Sequence, residues 1–298
     1  NKESRAIQLR IAERMKAKED ASELVKEREG VNGQRDAIER VMGEKEGLIK
    51  RILASMGNPV HASVVDSLDE ADNALVRCWK PAEMAEVVQQ KGWLPHHQVL
   101  AKLDGYDGER GVKVVGHRGY FLRGWGVRLN QALINYGLDF LTARDYCCLQ
   151  TPFMMKREAM AKCAQLEEFD ETLYKIPMNP GHGSGSGNEG EEDLYLIATS
   201  EQPIAAYHMD EWFDEPAKQL PLRYAGYSTC FRKEAGSHGK DTWGLFRIHQ
   251  FEKVEQFVIC EPEHSWEMME TMIGHSEAFY QSLGFAYRLV SIVSGALN

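Results

Sequence analysis

The first 56 residues constrain the fold most. Apolar residues recur there at Ile7, Ile11 and Met15, then at Ile38, Val41, Leu48, Ile49, Ile52, Leu53 and Met56, between charged flanks. Spacings of three, four and seven put each set on one side of an α-helix, in a narrow stripe suited to a partner helix. Gly57, Asn58 and Pro59 end the second set, because glycine closes helices and proline cannot continue them. Two such helices joined by a tight turn form an antiparallel hairpin. The turn has two candidate places. One is 18–22, where Asp20 can cap a new helix with Glu23 three positions on. The other is 30–33, where Gly30, Asn32 and Gly33 are breakers. With the first, the second helix has about 36 residues and spans roughly 54 Å, against roughly 24 Å for residues 3–18, at 1.5 Å per residue. A hairpin cannot leave half of one apolar stripe unpaired, so on that reading the first helix is expected to extend before Asn1. With the second, the two lengths nearly match.

Beyond this arm (1–57), residues 58–80 are irregular and acidic and read as a linker into a second domain, 81–298. A helix is expected over 82–98. Residues 112–123 lead into a long helix at 124–144, with Val127, Leu129, Leu133, Ile134, Leu138 and Leu141 as apolar positions. A strand at 146–149 and the Thr151-Pro152-Phe153 turn follow. The Gly-, Ser- and acid-rich stretch 178–193 reads as a flexible surface insertion. It is not a phosphate loop, because no Lys-Ser/Thr pair follows it. From Leu194 the chain turns strand-rich, with helices expected near 201–211 and 265–283.

At 298 residues there is room for one large domain or two smaller ones. No run of 18 apolar residues exists, so no transmembrane helix is expected and no membrane partner. Cys78, Cys147, Cys148, Cys163, Cys230 and Cys260 form no C-x-x-C pair, which argues against zinc and fits a reducing compartment. The formal net charge of −10 argues against nucleic-acid binding by the chain as a whole. The charge is uneven, however. Residues 1–51 carry 13 Lys or Arg against 11 Asp or Glu, a net of +2. A polyanion would therefore favour the N-terminal segment. The same pattern also describes a solvated helical surface of mixed charge.

Three short segments carry candidate chemistry: Thr199-Ser200-Glu201, then Phe231-Arg232-Lys233-Glu234, then GLFRIHQFEKVEQF at 244–257. As a strand, the last places Arg247, His249, Phe251, Lys253 and Glu255 on one face and Ile248, Val254 and Val258 on the other. Two cations, an aromatic and an anion on one face are costly to bury without a ligand. Phe251 and Glu255 lie roughly 13 Å apart at ~3.3 Å per residue, the reach from an adenine ring to an amino acid joined through ribose and phosphate. An aromatic face stacks on a base, and a carboxylate holds an ammonium. Arg232 and Glu234 are expected on one strand face, the arginine suited to phosphate or carboxylate and the glutamate to an exocyclic amine. Thr199 and Glu201 add a hydroxyl and a second carboxylate. Spacing alone equally allows a solvent-facing sheet surface of alternating salt bridges.

The wording of these segments resembles a known family. F-R-x-E, a loop and G-L-F-R-I-H-Q-F-x-K-V-E are similar to motif 2 of the seryl-tRNA synthetases, a class II family. T-S-E resembles that family's T-x-E serine-binding element. The helix, strand and proline over 124–152 resemble class II motif 1, which builds the dimer interface, and the hairpin resembles the tRNA-binding arm. GHRGYFL at 116–122 and SIVSGALN at 291–298 resemble the cytosolic eukaryotic or bacterial type, not the zinc-dependent archaeal one.

The resemblance implies an α+β fold: a class II antiparallel sheet flanked by helices, preceded by a two-helix coiled-coil arm. It implies a cytoplasmic, homodimeric enzyme that activates serine with ATP and passes the seryl group to tRNA. Arg232 would bridge the α-phosphate and the serine carboxylate. Glu234 would read the adenine amino group and Phe251 would stack on the ring, with Ile248, His249 and Gln250 lining the nucleotide site. Thr199, Glu201 and Glu255 would hold serine, Glu255 at its ammonium. The loop 235–244, with Ser237, His238 and Lys240, would meet the tRNA acceptor end. Cys230 would be a packing residue and His249 a hydrogen-bonding scaffold group. Motif 3 is expected beyond Asn298, with its ATP-binding arginine, the acidic Mg²⁺ ligands and the last contact to the serine hydroxyl. The rivals are another class II synthetase, such as a threonyl enzyme, whose Cys/His zinc cluster has no counterpart here, and a catalytically inactive paralogue that binds RNA or a partner.

Overall fold

The computed structural model describes residues 2–54, 56–57, 59–84, 92–163, 169–178, 193–234 and 244–297. Backbone contacts divide it into two units, 1–74 with 291–298, and 75–290.

In the first unit, α1 (Lys2–Lys16) and α2 (Ser22–Ala54) form the expected hairpin. The turn lies at the first of the two candidate places. Lys18 takes a left-handed conformation at φ 59°. Asp20 accepts from the Ser22 backbone N–H and from its hydroxyl, both at 2.9 Å, which caps α2 and holds the Asp20 carboxyl below its usual range. Gly30 and Gly33 do not break α2, although each costs about 1 kcal/mol relative to alanine in a helix interior. Ile7 and Ile11 of α1 are buried against Leu24 and Val31 of α2 and against Ala21, the residue before it. The later apolar residues of α2, Ile38, Ile49 and Leu53 among them, are exposed.

The remainder of this unit is a stitched coil. Ser294 N–H donates to the Val65 carbonyl and Gly295 N–H to Ser67, each at 2.9 Å. A side chain at Gly295 would strike Leu68 at 2.7 Å, so glycine is required there. The segment 58–80 is not wholly irregular. It holds a 3-10 turn at Glu70–Asp72 and β1 (Ala74–Trp79), which pairs with β10 (Tyr287–Ser291).

The second unit continues with α3 (His96–Lys102), β2 (Tyr106–Asp107), α4 (Gly108–Val115), β3 (Phe121–Leu122) and α5 (Trp125–Thr142). Of the expected helix over 82–98, the described residues 82–84 and 92–95 are not helical, and only its last three residues fall in helix, which begins at His96. Next come β4 (Cys147–Gln150), β5 (Met154–Lys156), α6 (Arg157–Ala161), α7 (Phe169–Thr172), β6 (Lys175–Ile176), β7 (Leu194–Leu196), α8 (Glu201–Tyr207) and α9 (Pro216–Gln219). β8 (Leu222–Phe231), β9 (Gln250–Ile259) and α10 (Ser265–Ser282) complete it.

The central sheet runs β4-β8-β9, and it is not purely antiparallel. β8 and β9 are antiparallel, whereas β4 runs parallel to β8. A parallel neighbour needs a long crossover, and residues 151–221 provide it. Within that crossover, β5, β7 and β6 form a second sheet around Met155, Met160, Leu173, Tyr195 and Ile197. The two faces of β9 are chemically distinct. Val254 and Val258 pack toward Leu138, Leu141 and Tyr146, while Tyr146 Oη donates to Gln256 Oε1 at 2.9 Å. Phe251, Lys253 and Glu255 take the opposite face by alternation. A cavity of about 500 Å³ lies on the helix side, among Leu133, Phe140, Met272 and Phe279. Its mostly apolar lining offers little for polar chemistry.

Among the described residues, no helix is long and apolar enough to cross a membrane.

Candidate active site

The register of β8 on β9 assembles the site. Gly226 faces Glu255, Ser228 faces Lys253 and Cys230 faces Phe251. Gly226 leaves room above the sheet. A β-carbon there would lie 2.6 Å from Ile204 Cδ1 and 2.8 Å from Ser200 Oγ. The turn into α8 can therefore press against the strand pair and lower Thr199 and Ser200 onto Glu255.

The result is a carboxylate ringed by donors. Thr199 Oγ1 lies 2.9 and 2.8 Å from the two Glu255 oxygens, and Ser200 Oγ donates to Oε1 at 2.7 Å. Lys253 Nζ sits 2.6 Å from Oε2 and also donates to Thr199 Oγ1 at 2.9 Å. The Glu255 side chain is only 14% exposed. Burial works to raise its pKa, but the bonds from Lys253 and Ser200, the Lys253 charge and the Thr199 bond outweigh it and leave the carboxyl below its ordinary value. Ser200, fully buried, is part of this arrangement with no role expected from the sequence, and Lys253, expected only as a cation on the same strand face, is paired with Glu255 here. Sequence alone gave no signal for Ser200, since its part depends on the register that brings Gly226 beneath it. Glu201, beside them in the first turn of α8, is exposed.

At the other end stand Phe251 and Arg232, the guanidinium carbon 5.2 Å from the ring centroid, within cation–π range. Arg232 Nε also donates to the Ala198 carbonyl at 3.4 Å. β8 ends at Phe231, so Arg232 and Glu234 do not share a strand face as expected. Glu234 instead takes a left-handed turn at φ 51°, which breaks the alternation. Its carboxylate comes to 3.8 Å from Arg247. The return limb also starts later than expected. β9 begins at Gln250, so Arg247 and His249 precede the alternating strand.

That limb is held by bonds other than the sheet ladder. Arg232 N–H donates to the His249 carbonyl at 3.0 Å, and His249 Nδ1 lies 3.1 Å from the Arg232 carbonyl, the scaffold role expected of His249. Arg118 donates to the Arg247 carbonyl and Tyr120 Oη to the Gln250 carbonyl, each at 3.0 Å. Burial and the nearby Glu252 push the Tyr120 phenol up to about 12, so it remains a donor. Leu245 N–H donates to His96 Nε2 at 2.9 Å. Burial, then the neighbouring His97, lower the His96 pKa and favour the neutral ring this bond needs. Ile248 is buried and Gln250 exposed. Cys230 is buried beside Ser228, its thiol pushed up by burial, as suits a packing residue.

Ser237, His238 and Lys240 lie outside the described residues, as does most of the 178–193 insertion. Among the described residues there is no group of three or more His, Cys, Asp or Glu side chains able to hold a metal ion.

Residues 183–298 match the tRNA synthetase class II core domain family (G, H, P, S and T). The cytoplasmic serine–tRNA ligase of Candida albicans is 56% identical over the whole chain, which spans 63% of that relative's length. A crystal structure of cytoplasmic serine–tRNA ligase from Naegleria fowleri, in complex with AMP, superposes with a TM-score of 0.79 at 42% identity, covering 99% of this chain and 67% of that one. The seryl-tRNA synthetase of Pyrococcus horikoshii, complexed with ATP, superposes with a TM-score of 0.81 at 36% identity, covering 99% and 66%. With the motif 2 wording, the carboxylate ringed by donors and these likenesses together, the chain belongs to the seryl-tRNA synthetase family of class II.

Proposed function

We propose that the complete protein is a serine–tRNA ligase: it joins serine to the α-phosphate of ATP, releases pyrophosphate, and passes the seryl group to tRNA. One observation carries this reading. A single face of β9 offers an aromatic ring with an arginine beside it at one end and a part-buried carboxylate ringed by donors at the other.

Phe251 stacks on the adenine and Glu234 accepts from its amino group, with Ile248, His249 and Gln250 lining the nucleotide side. Arg232 bridges the α-phosphate and the serine carboxylate. Glu255, Thr199 and Glu201 hold serine, with the ammonium on Glu255. The carboxylate oxygen attacks phosphorus in line, and the chain contributes positioning and charge stabilisation in place of covalent chemistry. Ser237, His238 and Lys240 meet the tRNA acceptor end. The hairpin arm lies along tRNA through phosphate contacts. Trp125, Leu129 and Leu133, exposed along α5, support a twofold homodimer. The nucleotide complexes of the Naegleria and Pyrococcus proteins and the cytoplasmic naming of the Candida relative support ATP as substrate and the cytoplasm as location.

The test is ATP–pyrophosphate exchange by the complete protein with serine, threonine and glycine. Serine-dependent exchange is expected. Exchange driven by threonine instead points to another class II synthetase, and none at all points to an inactive paralogue. Deleting residues 1–56 is expected to weaken tRNA charging while sparing exchange. Sedimentation at micromolar concentration is expected to show a dimer.

A further inference from the structure

The pocket assigned above to the serine ammonium already holds an ammonium, and it belongs to the chain itself. Lys253 Nζ lies 2.6 Å from Glu255 Oε2 and 2.9 Å from Thr199 Oγ1. Glu255 is the group assigned above to the substrate ammonium, and Thr199 is one of the two others assigned to serine. A part-buried carboxylate without a counter-charge is costly, so Glu255 needs some other cation until the substrate ammonium arrives. Lysine suits a temporary one. Its charge is compact, its four-carbon stem is flexible, and this side chain is 35% exposed, so it has somewhere to go.

The strand sets where it goes. Phe251, Lys253 and Glu255 alternate on one face of β9, so the Lys253 α-carbon stands about 6.6 Å from each neighbour. On the reading above, adenine lies at the first and the substrate ammonium at the third. The serine carboxylate and the α-phosphate fall between, above Lys253 and on the side where Arg232 stands.

We propose that Lys253 is a placeholder for the substrate ammonium and that, once displaced by it, Lys253 becomes a catalytic cation at the junction of the serine carboxylate and the α-phosphate. This rests on the serine–ATP reading. Binding exchanges one ammonium for another on Glu255, so that carboxylate is never left unpaired. In the reaction, a carboxylate oxygen forms its bond to the α-phosphorus as the bond from that phosphorus to the β-phosphate bridge breaks. Pyrophosphate leaves with the electron pair. No proton moves, and Lys253 stays an ammonium, neutralising charge as the bonds exchange. The placeholder also couples the two events, because the catalytic charge is freed only when an ammonium has arrived.

The test uses the complete protein with Lys253→Met, Lys253→Gln and Lys253→Arg. Serinamide, which has the ammonium but no carboxylate, is titrated by calorimetry, and serine-dependent exchange is measured alongside. Without its internal competitor, Lys253→Met is expected to bind serinamide several-fold more tightly. Its kcat for exchange is expected to fall by about 10- to 150-fold, the range for loss of a charged hydrogen bond. Lys253→Gln should show the same split, and Lys253→Arg should recover part of kcat. Weaker serinamide binding with a lower melting temperature in both neutral variants would make Lys253 a structural partner of Glu255 and overturn the proposal. Unchanged kcat would overturn its catalytic half. Failure of the unmodified protein to catalyse serine-dependent exchange is a separate result, which removes the serine–ATP reading itself.

Discussion

Thr199 and Glu255 are 56 residues apart in the chain, yet the threonine hydroxyl lies 2.9 and 2.8 Å from the two carboxylate oxygens of the glutamate. The contact joins the turn before α8 to the middle of β9, and Lys253 bonds to both partners. Thr199→Val keeps the shape and removes the hydroxyl. It is expected to raise the KM for serine about tenfold, the lower end for a hydrogen bond to a charged group, while leaving the KM for ATP nearly unchanged. Steady-state exchange with each substrate varied in turn checks this.

The Glu255 carboxyl titrates below its ordinary value of 4.5 in the folded chain. A carboxyl with a depressed folded pKa stabilises the fold above its unfolded pKa and loses that contribution as pH falls through the folded one. Acidification below 4.5 should therefore lower the melting temperature of the unmodified protein more steeply than that of Glu255→Gln. Parallel melting curves across that range would show that Glu255 does not carry this dependence.

Gly226→Ala places a β-carbon 2.6 Å from Ile204 and 2.8 Å from Ser200. Overpacking of this kind costs about 1–3 kcal/mol, and a melting temperature roughly 2–10 °C lower is expected for a domain of this size. Because Ser200 is one of the atoms displaced, serine use should weaken as well. Calorimetric melting and the KM for serine report the two effects separately.

Tyr120→Phe removes the bond to the Gln250 carbonyl, at the start of the strand that carries Phe251. A neutral hydrogen bond is worth about 1 kcal/mol, so the KM for ATP should rise roughly fivefold while the KM for serine stays near its starting value. Arg118→Ala, which frees the Arg247 carbonyl, should act in the same direction. An equal rise for both substrates would show a general loosening of the site.

Much of this arrangement was legible in the sequence because it follows from local periodicity. Alternation alone put Phe251 and Glu255 on one face of a strand, and spacing alone placed the apolar stripes of the arm. The turn of the arm was ambiguous because glycine both breaks helices and is tolerated within them. The continuity of α2 through Gly30 and Gly33 settled it. Other features depend on contacts far apart in the chain. Ser200 reaches Glu255 only because Gly226 lies opposite it in the register. Arg118 and Tyr120 reach the return limb only because Gly111 and Gly119 let two backbones meet, a β-carbon on Gly119 coming within 2.5 Å of the Gly111 carbonyl oxygen. The left-handed turn at Glu234 and the late start of β9 were hidden for a simpler reason. Alternation predicts which face a residue takes, not where the strand ends.

The most direct measurement is the serine and ATP dependence of pyrophosphate exchange in Glu255→Gln, with its melting temperature taken at the same pH. Glutamine keeps the size and loses the charge that holds the ammonium. With Glu255 as the ammonium ligand, serine use falls by about 10- to 150-fold, and ATP dependence changes far less because its contacts lie at the Phe251 end. A variant that melts earlier yet keeps the serine dependence of the unmodified protein would make Glu255 a scaffold partner of Lys253 and place the amino-acid pocket elsewhere.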